Sequence, residues 1–207
     1  YSMTAKKTIY IIRHGETEYN KQGVIQGRGI DSSLNEMGQQ QALQFYRAYH
    51  HIGFEIIYTS ELKRTHQSVA AFLKAGYKHH ILSELNEIGW GMFEGLKGDP
   101  ESKRAYQSII NDWSSGLLDR CVEGGESPNL VLKRQKVGLQ KILSTNDTTI
   151  LICMHGRALK IFLCLLTDTP LSKMDQFYHQ NLTLYQLEYD GQKFQVIKEN
   201  CTKHLWI

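Results

Sequence analysis

Three shortages narrow the class of protein that this sequence encodes. Only 3 of its 207 residues are proline and 41% are hydrophobic, which excludes disordered and fibrous proteins. No apolar run approaches the roughly 20 residues that a membrane-spanning helix needs. The apolar run after Lys6 and Lys7 is about five residues long, too short for the core of a signal peptide. We therefore expect a globular protein without a membrane partner.

Cysteine pairs and clusters of one charge are also missing. The four cysteines form no C-x-x-C pair, which favours free thiols in the reducing cytoplasm. The net charge is only +3 and the basic residues are dispersed among acidic ones, so we expect no nucleic-acid partner. Neither an H-E-x-x-H motif nor a Cys/His cluster occurs, so we expect no metal and no cofactor.

What the chain does contain is an alternation of apolar runs and helical patterns. Short apolar runs without polar alternation predict buried strands at residues 8–12, 56–58 and 149–154, and a further strand is predicted at residues 80–82. Capping residues predict helices from Asn35 to about His51, from Asp99 to about Trp113 and from Ser127 to about Leu143. Two further helices are predicted, one that carries Arg64 in its first turns and ends near Gly76, and one at residues 158–166.

This order of elements predicts the fold class. It is α/β, a doubly wound three-layer sandwich with a mostly parallel central sheet and antiparallel strands at one end. The antiparallel strands are predicted at residues 182–187 and 194–197, around a two-residue hairpin turn at Asp190-Gly191. The length of 207 residues fits a single domain over residues 1–207.

Two of the predicted strands end in histidine and glycine. Arg13, His14 and Gly15 follow the first strand, and His155 and Gly156 follow the strand at residues 149–154. In an open α/β sheet the carboxyl ends of central strands face the ligand crevice, so both histidines are expected there if the two strands are neighbours. Taken alone, either histidine could instead be a satisfied core residue.

Arg64 and Glu87 complete a possible phosphoryl-transfer site. Arginines bind phosphoryl groups through bidentate hydrogen bonds, and the reaction needs a nucleophile, charge stabilisation and a proton for the departing oxygen. By itself Arg64 would be read as an exposed helix residue. Glu84 and Glu94 are alternatives to Glu87 as the acid.

Many short motifs in this order resemble the histidine phosphatase superfamily, in the branch of the phosphoglycerate mutases and small phosphomonoesterases. The motifs that carry the resemblance are Arg13-His14-Gly15-Glu16-Thr17 with Asn20, Gln26-Gly27, Asp31-Ser32-Ser33-Leu34 with Gly38, Ser60, Leu62-Lys63-Arg64-Thr65 with Gln67-Ser68, Leu85-Asn86-Glu87-Ile88 with Gly91, Glu94-Gly95, Gly125-Glu126-Ser127 and His155-Gly156. One such match is weak, but their conjunction is specific.

The resemblance implies a role for each matching residue. It implies that His14 is the nucleophile that becomes phosphohistidine and that Glu87 is the proton donor. The nucleophile must be neutral, and repulsion by adjacent arginines favours that form. The remaining implied residues are Arg13, Arg64 and His155 in the phosphate pocket and Asn20, Gln26 and Gly27 near the transferred group.

The departures from the family pattern bear on the substrate. The mutases that the chain resembles carry an arginine after the acidic residue, where Ile88 stands, and an asparagine after His-Gly, where Arg157 stands. We expect Arg157 to contact the substrate. The mutases also have a longer, arginine-containing insert between the acidic residue and the second histidine. In this chain that region is compact, and residues 96–127 are interpreted as a specificity insert. A mutase needs extra cationic side chains to hold a second phosphate or a carboxylate while its substrate reorients. The loss of these cationic side chains favours hydrolysis.

The sequence therefore predicts a metal-independent phosphomonoester hydrolase of the histidine acid-type phosphatases, acting through phosphohistidine. The expected partners are a small phosphomonoester and the phosphate ion. Cofactor-dependent phosphoglycerate mutase is the alternative. A non-catalytic phosphate-binding protein of the same fold is a third reading, against which the placed acid argues.

Overall fold

The structure, a computed structural model, describes residues 6–206, so residues 1–5 and 207 of the predicted domain lie outside the described residues. The strands of the described part are β1 (Lys7–Arg13), β2 (Ile56–Thr59), β3 (His79–Ile81), β4 (Thr149–Met154), β5 (Leu184–Tyr189) and β6 (Phe194–Cys201). Its helices are α1 (Glu18–Gln22), α2 (Glu36–Tyr49), α3 (Lys63–Ser68), α4 (Ala70–Lys74), α5 (Pro100–Ser114), α6 (Pro128–Leu143) and α7 (Gly156–Thr167).

The strands form one sheet in the order β3-β2-β4-β1-β5-β6. Strands β3, β2, β4 and β1 run parallel to one another, whereas β5 pairs antiparallel with both β1 and β6. The predicted fold class, with antiparallel strands at one end, is confirmed. β1 and β4 are central neighbours, and their pairing brings Arg13 opposite Met154 at their carboxyl ends.

The central strands are buried on both faces because each face is covered by helices. In β1, Ile9 and Ile11 belong to a core cluster that α5, α6 and α7 complete. Tyr10 and Ile12 point the other way, into a second cluster with residues of α2 and α4. Alternation of side chains along a strand thus fills two cores, which produces the three layers. Among the described helices, none combines the length and apolarity needed to cross a membrane.

The helix starts follow from the capping residues in the sequence. Asn35 accepts the backbone N–H of Gly38 at 2.9 Å before α2, and Ser127 accepts that of Leu130 at 3.2 Å before α6. Asp99 caps α5 in the same way. These side chains satisfy N–H groups that have no partner within the helix, which is why the predicted starts agree with the structure.

The single helix predicted to carry Arg64 and end near Gly76 is wrong, because the chain forms two short helices that meet at Val69. Val69 has φ −111° and ψ 11°, outside the helical range. The hydroxyl of Ser68 donates to the carbonyl oxygen of Arg64 at 2.7 Å and accepts the N–H of Gly15 at 2.8 Å. This hydroxyl competes with the regular helical pattern and ties α3 to the end of β1.

Two further local differences come from side chains that bond to nearby backbone. The short helix α1 was not predicted, although Thr17 and Asn20 form a reciprocal capping box at its start. The two-residue hairpin turn is also wrong, since residues 190–193 all lie between β5 and β6. Asp190 accepts the N–H groups of Gln192 and Lys193, both at 2.8 Å, and so widens the turn.

Candidate active site

The two histidines that follow β1 and β4 lie side by side at the carboxyl edge of the sheet. The ring centroids of His14 and His155 are 5.2 Å apart. His14 is 2% exposed and His155 is fully buried. The juxtaposition follows from the parallel pairing of β1 with β4, because equivalent ends of parallel neighbours meet at one edge.

His14 is held in one tautomer by the backbone. Its Nδ1 lies 2.7 Å from the carbonyl oxygen of Gly15. A carbonyl oxygen can only accept, so Nδ1 carries the proton and the Nε2 lone pair is free to attack an electrophile.

Burial is the largest cause that lowers the pKa of His14 well below its ordinary 6.5, and the charges of Arg64 and Arg13 lower it further. The hydrogen bond to Gly15 acts in the opposite direction. The sequence suggested arginine repulsion as the reason for a neutral nucleophile, whereas in the structure loss of hydration comes first.

Arg64 is fully buried, contrary to the exposed position that its helix alone would suggest. Its guanidinium donates to the carbonyl oxygens of Ile30 at 2.6 Å and Gly27 at 3.2 Å. Burial lowers the pKa of Arg64 to about 10, so the group stays charged at neutral pH. This charge also lowers the pKa of both His14 and His155.

His155 is connected to the sheet through Ser60, whose hydroxyl lies 2.7 Å from its Nε2. Thr65 Oγ1 lies 3.1 Å from the same hydroxyl and donates its own proton to the carbonyl oxygen of Leu62, so Thr65 competes with His155 for the single Ser60 proton. When Ser60 donates to Nε2, Nδ1 of His155 carries the ring proton. Burial, followed by the charge of Arg64, lowers the pKa of His155 well below 6.5, so the ring is neutral.

Three buried nitrogen atoms in this region lack a hydrogen-bond partner among the described residues. They are Nε of Arg13, Nε of Arg64 and Nδ1 of His155. A buried donor without an acceptor is costly and rare in folded proteins. The two arginine nitrogens, and Nδ1 of His155 when it carries the ring proton, form beside the free Nε2 of His14 the donor set that an oxyanion such as a phosphoryl group requires.

Glu87 is held by backbone N–H groups at the start of α7. Its Oε1 accepts from Ile88 at 2.9 Å and Ala158 at 2.8 Å, and its Oε2 accepts from Arg157 at 3.1 Å. The carboxyl group is 6% exposed and lines the cavity beside His14. Its two rivals lie elsewhere, since Glu94 accepts the N–H of Gly29 and Glu84 pairs with Lys141.

A cavity of about 320 Å³ opens over these groups. Its size is near the lower end of the range for small-molecule sites. Six of the predicted site residues line it: Arg13, His14, Asn20, Gln26, Glu87 and Arg157. Arg64, His155 and Gly27 do not line it. Gly27 instead supplies a carbonyl oxygen to Arg64, and a side chain there would collide with Glu94 and Ile88.

The amide side chains near the cavity are fixed by other residues. Asn20 accepts the backbone N–H of Thr17 and a side-chain N–H of Asn181, which leaves its own NH₂ group for a ligand. Gln26 donates to Thr17 at 2.8 Å and accepts from Ser32 at 2.6 Å. Asn181 also donates to the carbonyl oxygen of His14 at 3.1 Å.

Sequence reasoning missed several residues of this site. His179 lines the cavity, and its Nδ1 accepts from Arg13 at 3.3 Å; burial and the charge of Arg13 lower its pKa to about 3. Asn181 and Lys160 were also missed. None stands in a motif, so only the fold reveals them. Ser60 was part of a matched motif, but no role was attached to it.

The comparisons with known proteins agree with this geometry. The model of the histidine phosphatase superfamily (branch 1) matches residues 9–202. The chain belongs to the histidine phosphatase superfamily. It is 27% identical to phosphoserine phosphatase 1 of Hydrogenobacter thermophilus over 199 residues, which cover 95% of this chain and 93% of that protein.

Two further proteins are similar to this chain over most of its length. "Probable phosphoglycerate mutase GpmB" of Erwinia tasmaniensis is 28% identical, over 87% of this chain and 84% of that protein. The solved structure of Bacillus stearothermophilus YhfR superposes with a TM-score of 0.83 at 29% identity, covering 96% and 99% of the two chains. The resemblance drawn from the motifs is confirmed, and these relatives support the predicted phosphatase function with mutase as the alternative.

The side chains of the described residues also determine whether a metal ion can be held. Within residues 6–206, no group of three or more His, Cys, Asp or Glu side chains is arranged to hold a metal ion. The positive charge at the cavity comes from arginine and lysine side chains instead.

Proposed function

We propose that this protein is a metal-independent phosphomonoester hydrolase that acts through a phosphohistidine at His14. The observation that carries the proposal is the free Nε2 of His14 beside the three unpartnered nitrogen atoms of Arg13, Arg64 and His155. A nucleophile next to donors for the equatorial oxygens is what phosphoryl transfer needs.

In the first step the Nε2 lone pair of His14 forms a bond to phosphorus as the bond to the leaving oxygen breaks. Glu87 gives its proton to that oxygen, so the alcohol leaves neutral. Oε2 is the atom expected to carry the proton, because it accepts only one backbone N–H whereas Oε1 accepts two.

In the second step a water molecule attacks the phosphorus atom of phosphohistidine. Glu87, now ionised, accepts the proton of this water, the bond to Nε2 breaks and phosphate leaves. Arg13, Arg64 and neutral His155 donate to the phosphoryl oxygens in both steps. No metal is needed because these groups supply the compensating charge.

The substrate is a small phosphomonoester, in keeping with the size of the cavity. Because one relative is named a phosphoserine phosphatase, phosphoserine belongs in any panel. We also infer that residues 96–127 influence specificity. This is supported by Tyr106, which lines the cavity and receives a hydrogen bond from Arg157 at 3.2 Å.

A panel of phosphomonoesters assayed with excess EDTA tests the proposal. Hydrolysis at an unchanged rate in the chelator is the expected result. Complete loss of activity that a divalent ion restores would contradict the proposed site. The mutase alternative is distinguished in the same assay, because it predicts that 3-phosphoglycerate is isomerised rather than hydrolysed.

A further inference from the structure

Beyond His14 and Glu87, the cavity contains a second group of charged side chains. Arg157 and Lys160 are three residues apart on α7, on one face of the helix, and both line the cavity. Both donate to the same oxygen, Oδ1 of Asp175, at 2.8 Å and 2.6 Å. One carboxylate therefore pairs with two cationic side chains.

The two cations differ in how much of their bonding capacity is used. Arg157 donates to Asp175 and Tyr106, packs over the ring of Trp113 at 5.7 Å, and has a side chain that is 9% exposed. Lys160 makes one side-chain hydrogen bond within the described residues, to Asp175. An ammonium group has three N–H donors, so two remain for a ligand.

The charges of the two groups suggest what that ligand is. Around His14, Arg13 and Arg64 match the two charges of a phosphoryl dianion when Glu87 is protonated. In the second group, Asp175 neutralises one of two cations and leaves one positive charge. That group is therefore complementary to a single negative charge on the alcohol part of the substrate.

The environment of Lys160 points the same way. Its side chain is 15% exposed. Burial is the largest cause that lowers its pKa, the charges of Arg157 and Arg13 lower it further, and Asp175 only partly offsets them. An anion bound at the ammonium group would compensate this charge.

We propose that Arg157, Lys160 and Asp175 form a carboxylate subsite, in which Lys160 binds a carboxylate carried by the leaving alcohol of the substrate. A carboxylate fits better than a second phosphate because the subsite has one uncompensated charge and two free N–H donors. The inference rests on the proposed function, since it concerns the substrate of that same reaction.

Phosphoglycolate and its methyl ester form a matched substrate pair, with p-nitrophenyl phosphate as a general probe of turnover. The ester has the better leaving group, so a preference for the acid cannot come from leaving-group chemistry. We expect kcat/KM of the wild-type protein to favour the acid by about 10- to 100-fold, the effect of one charge-assisted hydrogen bond.

The variant Lys160→Met should reduce this preference to near unity, mainly through KM for the acid. Asp175 keeps its bond to Arg157 in this variant, so we expect it to fold, as circular dichroism would show. The matched control is Lys173→Met, which removes an exposed lysine that does not line the cavity and should leave the preference unchanged.

The outcomes separate this inference from the proposed function. If p-nitrophenyl phosphate is hydrolysed but the wild-type protein does not favour the acid, the carboxylate subsite is refuted and the hydrolase stands. The same conclusion follows if folded Lys160→Met keeps the wild-type preference. If no phosphomonoester is hydrolysed, the proposed function fails and the subsite fails with it.

Discussion

The carboxyl group of Glu87 accepts three backbone N–H groups, so its orientation toward the cavity is fixed. As the proton donor it matters most when the leaving oxygen is a poor leaving group. We expect Glu87→Gln to lower kcat/KM for alkyl phosphates by about 10²- to 10⁴-fold and that for p-nitrophenyl phosphate far less. Steady-state kinetics with both substrates measures the two losses.

The controls for this prediction are Glu84→Gln and Glu94→Gln, since neither side chain lines the cavity. Both should affect the two substrates alike. Equal losses in Glu87→Gln would mean that the residue acts through binding or structure. A selective loss in Glu94→Gln would transfer the role of the acid to that residue.

At the scale of elements, the loop that carries Glu87 is held by one arginine on α6. Arg134 donates to the carbonyl oxygens of Glu84 at 2.8 Å, Asn86 at 2.9 Å and Glu87 at 3.1 Å. It also binds both carboxylate oxygens of Glu126, each at 3.0 Å. The rigid helix therefore determines where the acid-bearing loop lies.

We expect Arg134→Met to displace this loop. The variant leaves three carbonyl oxygens without their donor, so it should cost about 1–3 kcal/mol of unfolding free energy. It should also reproduce part of the leaving-group selectivity of Glu87→Gln, because the acid is misplaced. Chemical denaturation and the two-substrate assay measure these effects.

Arg28 provides the matched control, since it pairs with the same Glu126 but is half exposed. Arg28→Met should cost less than about 1 kcal/mol and leave the leaving-group selectivity unchanged. If Arg134→Met lowers activity on both substrates alike, the arginine stabilises the fold without positioning the acid.

The sequence predicted the elements well where the information is local. Apolar runs located the buried strands, and Asn35 and Ser127 located helix starts, because capping depends on residues three positions apart. The interruption of the helix at Val69 could not be predicted from local residues. Next to it, the hydroxyl of Ser68 accepts the backbone N–H of Gly15, which is more than fifty residues away along the chain.

At the scale of the whole molecule, buried neutral histidines link stability to pH. His14 and His155 have folded pKa values well below 6.5, so below that pH the unfolded chain binds protons that the folded chain does not. Stability therefore falls as pH falls from about 7 to about 5.5, by about 2.5 kcal/mol for these two histidines together, and His179, with a pKa of about 3, adds roughly half as much again. Urea denaturation across this range measures the slope.

The variant His14→Asn removes one of these groups and should make the loss of stability over this range smaller by about 1.3 kcal/mol. The reduction is expected whatever the activity of the variant, because the measurement concerns folding only. Stability that is independent of pH over this range would contradict the lowered pKa values, because it would mean that the folded and unfolded chains bind the same number of protons.

The candidate site was predicted only in part from the sequence. Residues that stand in motifs, such as His14 and Glu87, could be singled out because their neighbours identify them. Lys160, His179 and Asn181 could not, since none stands in a motif and only the structure brings Lys160 and His179 to the cavity and Asn181 to the carbonyl oxygen of His14. The roles of the site residues, the specificity insert at residues 96–127 and the cytoplasmic location stay predictions.

The phosphohistidine at His14 is the central claim, and trapping the phosphoenzyme tests it most directly. The protein is quenched in base during turnover, digested and analysed by mass spectrometry. The account predicts phosphate on His14, lost in acid and retained in base as for a phosphoramidate, and absent from the inactive variant His14→Ala. Phosphate on another residue, or substantial turnover by His14→Ala, would contradict the account.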